Sequence, residues 1–293
     1  MDLGRVGVWT AALDPLPMGA ARQRAAELDE LGYGAIWLPD TVGRDPTVAA
    51  ALLLDATDRI SAATGIASIY GRDPLAMRAA WETLSEAFPG RFLLGLGVSH
   101  APMVEGIRGQ QYGPPVPAMR SYLDHVDDAI YLGARADTPP ERVLAALGPR
   151  MLELSAERAS GALTYLVPVE HTHRAREVLG PDALLAVEQA VVLLMGTDEA
   201  RRTGREHLAT YLGLPNYTNN LRRLGFVDDD FVDGGSDRLV DALVAWGDPD
   251  AIRARVQAHL DAGASHVCIQ VLTAPQFRDC IEEWRELAPA VLG

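Results

Sequence analysis

The sequence predicts an α/β fold, a (β/α)₈ TIM barrel with an insertion between the seventh and eighth strands. Eight short apolar runs alternate with amphipathic stretches along the 293 residues, a pattern typical of a parallel sheet covered by helices. Most of the runs are continuously apolar, as in strands that are buried on both faces. A doubly wound open sheet is the alternative, and the absence of GxGxxG after the first strand argues against it.

The first half of the chain predicts four strand–helix pairs. Gly32 stops the first helix, and Pro74 lies in the first turn of the third, where proline is tolerated. The predicted strands are Arg5–Thr10, Gly34–Leu38, Arg59–Ile66 and Phe92–Gly97. The predicted helices are Met18–Leu31, Thr47–Thr57, Pro74–Phe88 and Val116–Leu132.

The second half continues the alternation and adds a long insertion. The predicted strands are Arg142–Ala146, Ala162–Val167, Ala183–Leu194 and His266–Leu272. The predicted helices are Arg150–Ala159, His171–Val178, Pro249–Ala262 and Pro275–Leu287. Before the last strand, residues 197–247 hold short helical pieces and the polar string Leu214–Asn220. Long insertions often form lids or binding loops, so we expect one domain over 1–293 with a helical insertion over 197–247.

The composition narrows the class of protein. The formal net charge is −14, and all 26 basic residues are arginine. An acidic surface repels phosphate backbones, so nucleic acid is not an expected partner, and the absence of lysine excludes Schiff-base chemistry. Cys268 and Cys280 belong to no CxxC pair, which predicts buried free thiols. Because we find neither a signal-peptide pattern nor an apolar run of roughly 20 residues, we expect a cytoplasmic protein without a membrane partner.

Polar residues follow the second and fourth predicted strands, at the end where parallel α/β folds bind ligands. Asp40 follows the second strand, where it would contact a ligand or cap the next helix. His100 follows the fourth strand, and histidine exchanges protons near neutral pH, so it is a candidate acid or base. A structural role is the alternative. Gly95 and Gly97 would let a flat ligand approach the backbone, or would only form a tight turn.

Two predicted helix starts are suited to an anion. At Gly148–Met151 the backbone amides favour an anion, and Arg150 adds a fork-shaped cation. His171, His173 and Arg174 lie at the next helix start. The His-x-His spacing suggests a metal, but no companion ligands are visible, so we expect no metal site.

The insertion and the first strand supply candidate substrate-pocket residues. Asn216, Tyr217 and Asn220 would form a polar wall, together with Trp9 at the end of the first strand. Helix capping within the insertion is the alternative role for these asparagines and for Asn219.

The segments Arg91–His100, Tyr211–Phe226 and Trp246–Leu272 closely resemble the matching parts of the bacterial luciferase-like monooxygenase superfamily. Within it, the chain is similar to the actinobacterial-type subfamily of coenzyme F420-dependent oxidoreductases. The resemblance implies hydride transfer between F420, an 8-hydroxy-5-deazaflavin, and an unidentified small organic substrate. A reduced-FMN-dependent monooxygenase and a non-catalytic flavin-binding barrel are the alternatives. We also expect a homodimer.

The resemblance further implies the site residues. A cis peptide is expected between Gly65 and Ile66, in a bulge that backs the cofactor ring. The cofactor contacts are expected from Asp40, Thr64, Gly65, Ile66, Gly97, Val98 and Ser99 at the ring, and from Gly148, Pro149, Arg150, Met151 and Arg174 at the phosphate tail. His100 and Asp40 are the catalytic candidates. Relatives often carry glutamate where His100 stands and Asp-His or Glu-His where Asp40 and Thr41 stand, which leaves the mechanism open.

Overall fold

Eight parallel strands form a closed barrel in this computed structural model, which describes residues 1–293. The ten strands are β1 (Val6–Trp9), β2 (Ala35–Leu38), β3 (Ser61–Thr64), β4 (Ala67–Ser68), β5 (Phe92–Gly97), β6 (Arg142–Ala145), β7 (Gly161–Thr164), β8 (Leu184–Val192), β9 (Val244–Trp246) and β10 (His266–Val271). The last barrel strand, β10, pairs with both β1 and β8 and so closes the ring. The predicted TIM barrel is confirmed.

Helices cover the outside of the barrel and fill the long segment before β10. They are α1 (Met18–Leu31), α2 (Pro46–Leu54), α3 (Pro74–Ala87), α4 (Pro115–Asp128), α5 (Pro149–Arg158), α6 (Val169–Leu179), α7 (Thr197–Leu212), α8 (Pro215–Arg223), α9 (Asp237–Leu243), α10 (Pro249–Asp261) and α11 (Ile281–Val291). Three of them begin with an Asp-Pro pair in which the aspartate accepts from backbone N–H groups, at Asp45, Asp73 and Asp248. Such caps satisfy donors that the helix leaves free. No helix combines the length and the apolar character that crossing a bilayer needs.

Side chains also fill the inside of the barrel. The interior cluster contains Leu3, Trp9, Ala35, Trp37, Ala63, Leu93, Val143, Leu163, Ala186 and Cys268. Lower in the barrel, the Trp37 indole donates to His266, whose other ring nitrogen bonds to the Gly4 carbonyl oxygen at 2.8 Å. Because this interior is packed, the open side of the fold is the carboxyl end of the strands.

The insertion is tied to the barrel at that same end. Strand β9, which the sequence analysis did not predict, pairs in parallel with Ala190–Val192 of β8. The Gln189 amide also donates to the Leu243 carbonyl oxygen at 3.0 Å. The polar string Leu214–Asn220 is largely helical, because α8 begins at Pro215. The insertion is thus anchored at the edge where a ligand is expected.

Several predicted boundaries are wrong for identifiable local reasons. The last helix begins at Ile281 rather than Pro275, because the Asp279 carboxylate accepts from the Ile281 N–H. The fourth helix ends at Asp128, since Ala129 is extended. The predicted strand Arg59–Ile66 is interrupted after Thr64 and resumes as β4, which pairs with the end of β5. The loop after β5 contains an unpredicted π-helix over Pro102–Ile107.

Candidate active site

Five aromatic side chains meet at the carboxyl end of the barrel and form what we call the aromatic wall. Its members are Trp9, His100, Tyr165, Tyr211 and Tyr217. Neighbouring ring centroids are 5.2 to 5.6 Å apart along the path from Trp9 through the tyrosines to His100. These tilted and edge-on arrangements are the favoured ones for aromatic contacts. The wall joins two barrel strand ends, the loop after β5 and two helices of the insertion.

The tyrosine hydroxyls of the wall are neutral hydrogen-bond groups. Tyr211 donates to the Tyr165 hydroxyl and Tyr165 donates to the Gln270 amide oxygen, each at 2.9 Å. Burial raises the pKa of Tyr211 to about 12 and holds that of Tyr165 well above its ordinary value. Both hydroxyls are therefore protonated throughout the physiological pH range.

His100 lies where the wall meets the insertion. It is only partly buried, and its ring centroid is 5.6 Å from that of Tyr217. Burial lowers the pKa of His100, and a hydrogen bond that the imidazole donates to the Asn216 side chain partly offsets this effect. The imidazole is consequently neutral near pH 7 and able to accept a proton. Of the predicted pocket residues, Trp9, Asn216 and Tyr217 lie along this wall, whereas Asn220 is buried on α8.

The bulge after β3 connects the wall to the next strand. The Gly65–Ile66 peptide is cis, as the resemblance implied. The Trp9 indole donates to the Gly65 carbonyl oxygen at 2.8 Å. On the other side, the Thr64 hydroxyl donates to the Gly95 carbonyl oxygen at 2.7 Å. The bulge is thereby bonded to the neighbouring strand β5 and, through Trp9, to β1, which lies two strands away.

The structure gives a reason for Gly95 and Gly97 that differs from the expected close approach of a ligand. A Cβ atom on Gly95 would lie 2.0 Å from the Thr64 carbonyl oxygen. One on Gly97 would lie 2.4 Å from the Ile66 side chain. These glycines therefore make room for the bulge of the adjacent strand.

Asp40 is held by three donors rather than left free. Its carboxylate accepts from the Ser68 N–H at 3.0 Å and from Arg108 at 2.9 Å, and pairs with Arg72 at 3.5 Å. The helix-cap alternative is wrong, because Asp45 caps α2. Asp40 thus ties the end of β2 to β4 and to the loop that follows the π-helix. Sequence reasoning missed Arg108, which lies in a loop without any recognisable pattern.

The two predicted anion-binding helix starts lie side by side. Arg223, from the insertion, points at the start of α5, since a Cβ atom on Gly148 would be 3.5 Å from its guanidinium. Arg174 donates to the Arg223 carbonyl oxygen at 3.0 Å. Arg150 is exposed beside them, while Met151 is buried. The structure therefore adds Arg223 to the predicted group, and its signal was only the arginine pair that ends α8.

The His-x-His pair does not form a ligand set. His171 is buried and bonds to the Leu147 carbonyl oxygen at 2.8 Å, whereas His173 is exposed beside Glu177. No three His, Cys, Asp or Glu side chains lie close enough together to hold a metal ion.

A buried glutamate at the centre of the barrel was also missed. Glu188 lies in the middle of β8 and is 1% exposed. Its signal in the sequence is the polar pair Glu188-Gln189 inside the otherwise apolar run Ala183–Leu194. Burial raises the pKa of its carboxyl to about 8.

Known structures share this architecture over almost the whole chain. An F420-dependent tetrahydromethanopterin reductase from Methanopyrus kandleri matches with a TM-score of 0.76, 18% identity and 98% coverage of both chains. An F420-dependent secondary alcohol dehydrogenase in complex with an F420–acetone adduct matches with a TM-score of 0.75, 14% identity and the same coverage. The oxygenating constituent of 3,6-diketocamphane monooxygenase from Pseudomonas putida, in complex with FMN, matches with a TM-score of 0.65, 17% identity and 98% coverage of both chains.

Sequence comparison identifies the family. The protein named "Putative coenzyme F420-dependent oxidoreductase Rv3520c" of Mycobacterium tuberculosis (strain ATCC 25618 / H37Rv) is 29% identical over 177 residues, 60% of this chain. That match spans only about half, 48%, of the relative's own length. The family model described as luciferase-like monooxygenase matches residues 2–266. The chain therefore belongs to the luciferase-like monooxygenase family.

Proposed function

We propose that this protein is an oxidoreductase that binds coenzyme F420 at the carboxyl end of its barrel and moves a hydride between it and a small organic substrate. One observation carries the proposal. Helix α8 carries both Tyr217 of the aromatic wall and Arg223, which lies with Arg174 and Gly148 at two helix starts. A planar ring joined to a phosphate-bearing tail needs such a combination of a flat apolar surface and an anion site.

The residues around Gly148 are chemically suited to the phosphate-bearing tail of such a cofactor. A side chain at Gly148 would fill the space in front of the Arg223 guanidinium, so the glycine leaves room for an oxyanion there. Since the chain has no lysine, arginines and backbone N–H groups supply every donor for the tail, and arginine binds phosphate through two parallel hydrogen bonds. When bound, the deazaflavin ring supplies the hydride chemistry.

The chain's own residues orient the reactants and handle the proton. His100 is neutral near pH 7 and accepts the proton of a hydroxyl substrate, or returns it to a carbonyl in the reverse direction. The Tyr165–Tyr211 pair is neutral, and because its two protons are used within the pair and by Gln270, it offers hydrogen-bond acceptors to polar groups of the ligand. Asp40, whose oxygens already have donors, holds β4 and the loop at Arg108 in place.

Reduced-FMN-dependent monooxygenation is the second candidate, because the same architecture binds FMN in the diketocamphane enzyme. A flavin-binding barrel without catalysis is the third. The three differ in which cofactor binds and whether turnover follows. The homodimer that we expect stays a prediction, which light scattering of the purified protein would check.

Equilibrium titration with F420 and with FMN tests the proposal. Trp9 belongs to the aromatic wall, so quenching of its fluorescence should report binding, and Trp9→Phe should lose most of the signal. We expect tighter binding of F420 than of FMN. Clear FMN preference would favour the monooxygenase, and F420 binding without turnover of any alcohol or carbonyl tested would favour the non-catalytic barrel.

The arginines of the tail site provide a matched pair of variants. Arg223→Ala should weaken F420 binding about 10- to 100-fold, which corresponds to the loss of one hydrogen bond to a charged group. Arg222→Ala is the control, because this neighbouring arginine pairs with Asp228 at the surface. Equal affinities for the two variants would argue against a phosphate at Gly148.

A further inference from the structure

Glu188 is placed inside the barrel beneath the aromatic wall. Along β8, Ala186 belongs to the interior cluster, so Glu188, two residues further toward the carboxyl end, faces the interior as well. It is paired in register with Cys268 of β10. Inside a packed barrel an acidic side chain is costly, and nothing in the proposed hydride transfer described above uses it.

The carboxyl of Glu188 is only half satisfied. One oxygen, Oε2, accepts from the Leu166 N–H at 3.0 Å, whereas the buried Oε1 has no hydrogen-bond partner. The ionisable groups around it come from four elements, and none is cationic. They are Tyr165 after β7, Tyr211 on α7, Tyr217 on α8 and Cys268 on β10.

The single bond that Glu188 makes reaches the backbone of the aromatic wall. Leu166 has a positive φ of 55°, a conformation that non-glycine residues rarely adopt without support. Leu166 directly follows Tyr165, so this turn orients the Tyr165 ring toward Trp9 and its hydroxyl toward Gln270.

We propose that Glu188 is a positioning residue that holds the aromatic wall in its ligand-binding arrangement while its carboxyl is protonated. When the proton leaves, Oε1 carries charge without a donor, and a buried charge must acquire one. The ionisable donors around it are the three tyrosine hydroxyls and the Cys268 thiol, and recruiting Tyr165 breaks its bond to Gln270. Ionisation therefore disorders the wall and weakens binding of the cofactor. This inference rests on the proposed function.

The first experiment tests the retained proton without any ligand. Burial raises the pKa of Glu188 from 4.5 to about 8, so between these values the folded protein binds one more proton than the unfolded chain. Its contribution to stability is complete below pH 4.5 and is lost as the pH rises through about 8. Glu188→Gln should therefore gain stability relative to the wild type as the pH rises from about 5 to about 9.

The control for that experiment is another buried glutamate. Glu82 on α3 is equally buried but pairs with Arg78 outside the barrel, so Glu82→Gln should not reproduce the pH-dependent gain. Denaturant unfolding of the three proteins at several pH values measures the effect. If the free energies of unfolding of the wild type and Glu188→Gln change with pH in parallel, Glu188 does not retain its proton in the folded protein.

The second experiment tests the effect on the wall. Near-ultraviolet circular dichroism should show a tyrosine transition near pH 8 in the wild type, and the transition should be absent in Glu188→Gln. F420 titration should give roughly tenfold weaker binding to the wild type at alkaline than at neutral pH. Glu188→Gln should keep its affinity over that range.

The outcomes separate this inference from the proposed function. If the alkaline loss of F420 affinity persists in Glu188→Gln, or the tyrosine transition does, Glu188 does not position the wall. If F420 binds neither protein at any pH, the proposed cofactor is wrong. The stability and circular dichroism results would then still decide whether Glu188 controls the wall.

Discussion

Three ionisable side chains at the same end of the barrel show how neighbouring donors decide a residue's role. Asp40 has two guanidiniums and a backbone N–H around its oxygens. Glu188 has one backbone N–H and no cation. His100 has a single side-chain partner and is partly open to solvent. The first is held in place by its partners, the second retains a proton, and the third is available to exchange one.

Replacing His100 tests its assignment as proton acceptor. His100→Ala should lower turnover roughly 10²- to 10⁴-fold, the usual contribution of general acid–base catalysis, with little change in stability because the ring is only partly buried. In the wild type, with saturating F420, the acid-side fall of the alcohol-oxidising rate should begin only below pH 6.5, since the pKa of His100 is lowered from 6.5. The exposed His173, changed to alanine, is the control. Full turnover by His100→Ala would make the residue incidental.

Replacing Asp40 tests a structural role. Asp40→Asn keeps the size of the side chain but leaves Arg72 and Arg108 without a shared, largely buried anion. We expect a loss of about 2–3 kcal/mol in the free energy of unfolding. Asp55→Asn, which breaks an exposed pair with Arg22, should cost less than about 1 kcal/mol. Denaturant titration compares the two, and equal losses would contradict the role given to Asp40.

At the scale of elements, the apolar runs predicted the barrel strands because continuous apolar segments can be buried only between two covering layers. Helix ends were less predictable, since a single hydrogen bond moves them, as Asp279 does for α11. Strand β9 could not be predicted, because a three-residue run forms a strand only where a neighbour, here β8, offers a free edge.

The candidate site was predictable only where its residues are local in sequence. His100 and the Gly65–Ile66 bulge follow strands and carry recognisable patterns. Tyr165, Tyr211 and Arg223 come together from different elements, so no spacing along the chain reveals their proximity. Glu188 was the exception, because a charged residue in an apolar strand is itself a signal.

The Asp-Pro helix starts allow a direct test of an element. The Asp248 carboxylate accepts from the Ala251 N–H at 2.8 Å at the start of α10. Asp248→Ala should therefore lower the free energy of unfolding by about 1 kcal/mol. Asp137→Ala, at an exposed loop position, should be neutral within about 0.5 kcal/mol. Thermal or denaturant unfolding measures both, and equal stabilities would mean that the cap contributes nothing.

At the scale of the whole molecule, buried histidines make the fold sensitive to acid. Burial lowers the pKa of His207 to about 4, of His259 to about 3 and of His266 to about 4. Their contribution to stability is present above pH 6.5, the ordinary value, and is lost as the pH falls toward the lowered values. Above pH 6.5 the contribution of Glu188 to stability is lost as the pH rises. The free energy of unfolding should therefore be greatest near pH 6.5.

Unfolding measured between about pH 4 and pH 9 checks this profile. His207→Leu should reduce the loss of stability at acid pH, because it removes one buried histidine. The substitution breaks no hydrogen bond of the His207 Nε2 atom, which has no partner. His173→Leu, at an exposed position, should leave that loss unchanged. A wild-type stability that stays constant down to pH 4 would contradict the expectation.

The pairing of β9 with β8 has a consequence for how a substrate enters the candidate site. Because the β9–β8 ladder and the Gln189–Leu243 bond clamp the insertion to the barrel rim, the two wall tyrosines that it carries, Tyr211 and Tyr217, should move with the barrel. We therefore expect a substrate to enter past the loop that contains the π-helix over Pro102–Ile107, which the Arg108–Asp40 ion pair helps to hold against the end of β2. Changes in the insertion should alter which molecules are accepted, whereas changes near Arg108 should alter how quickly they come and go.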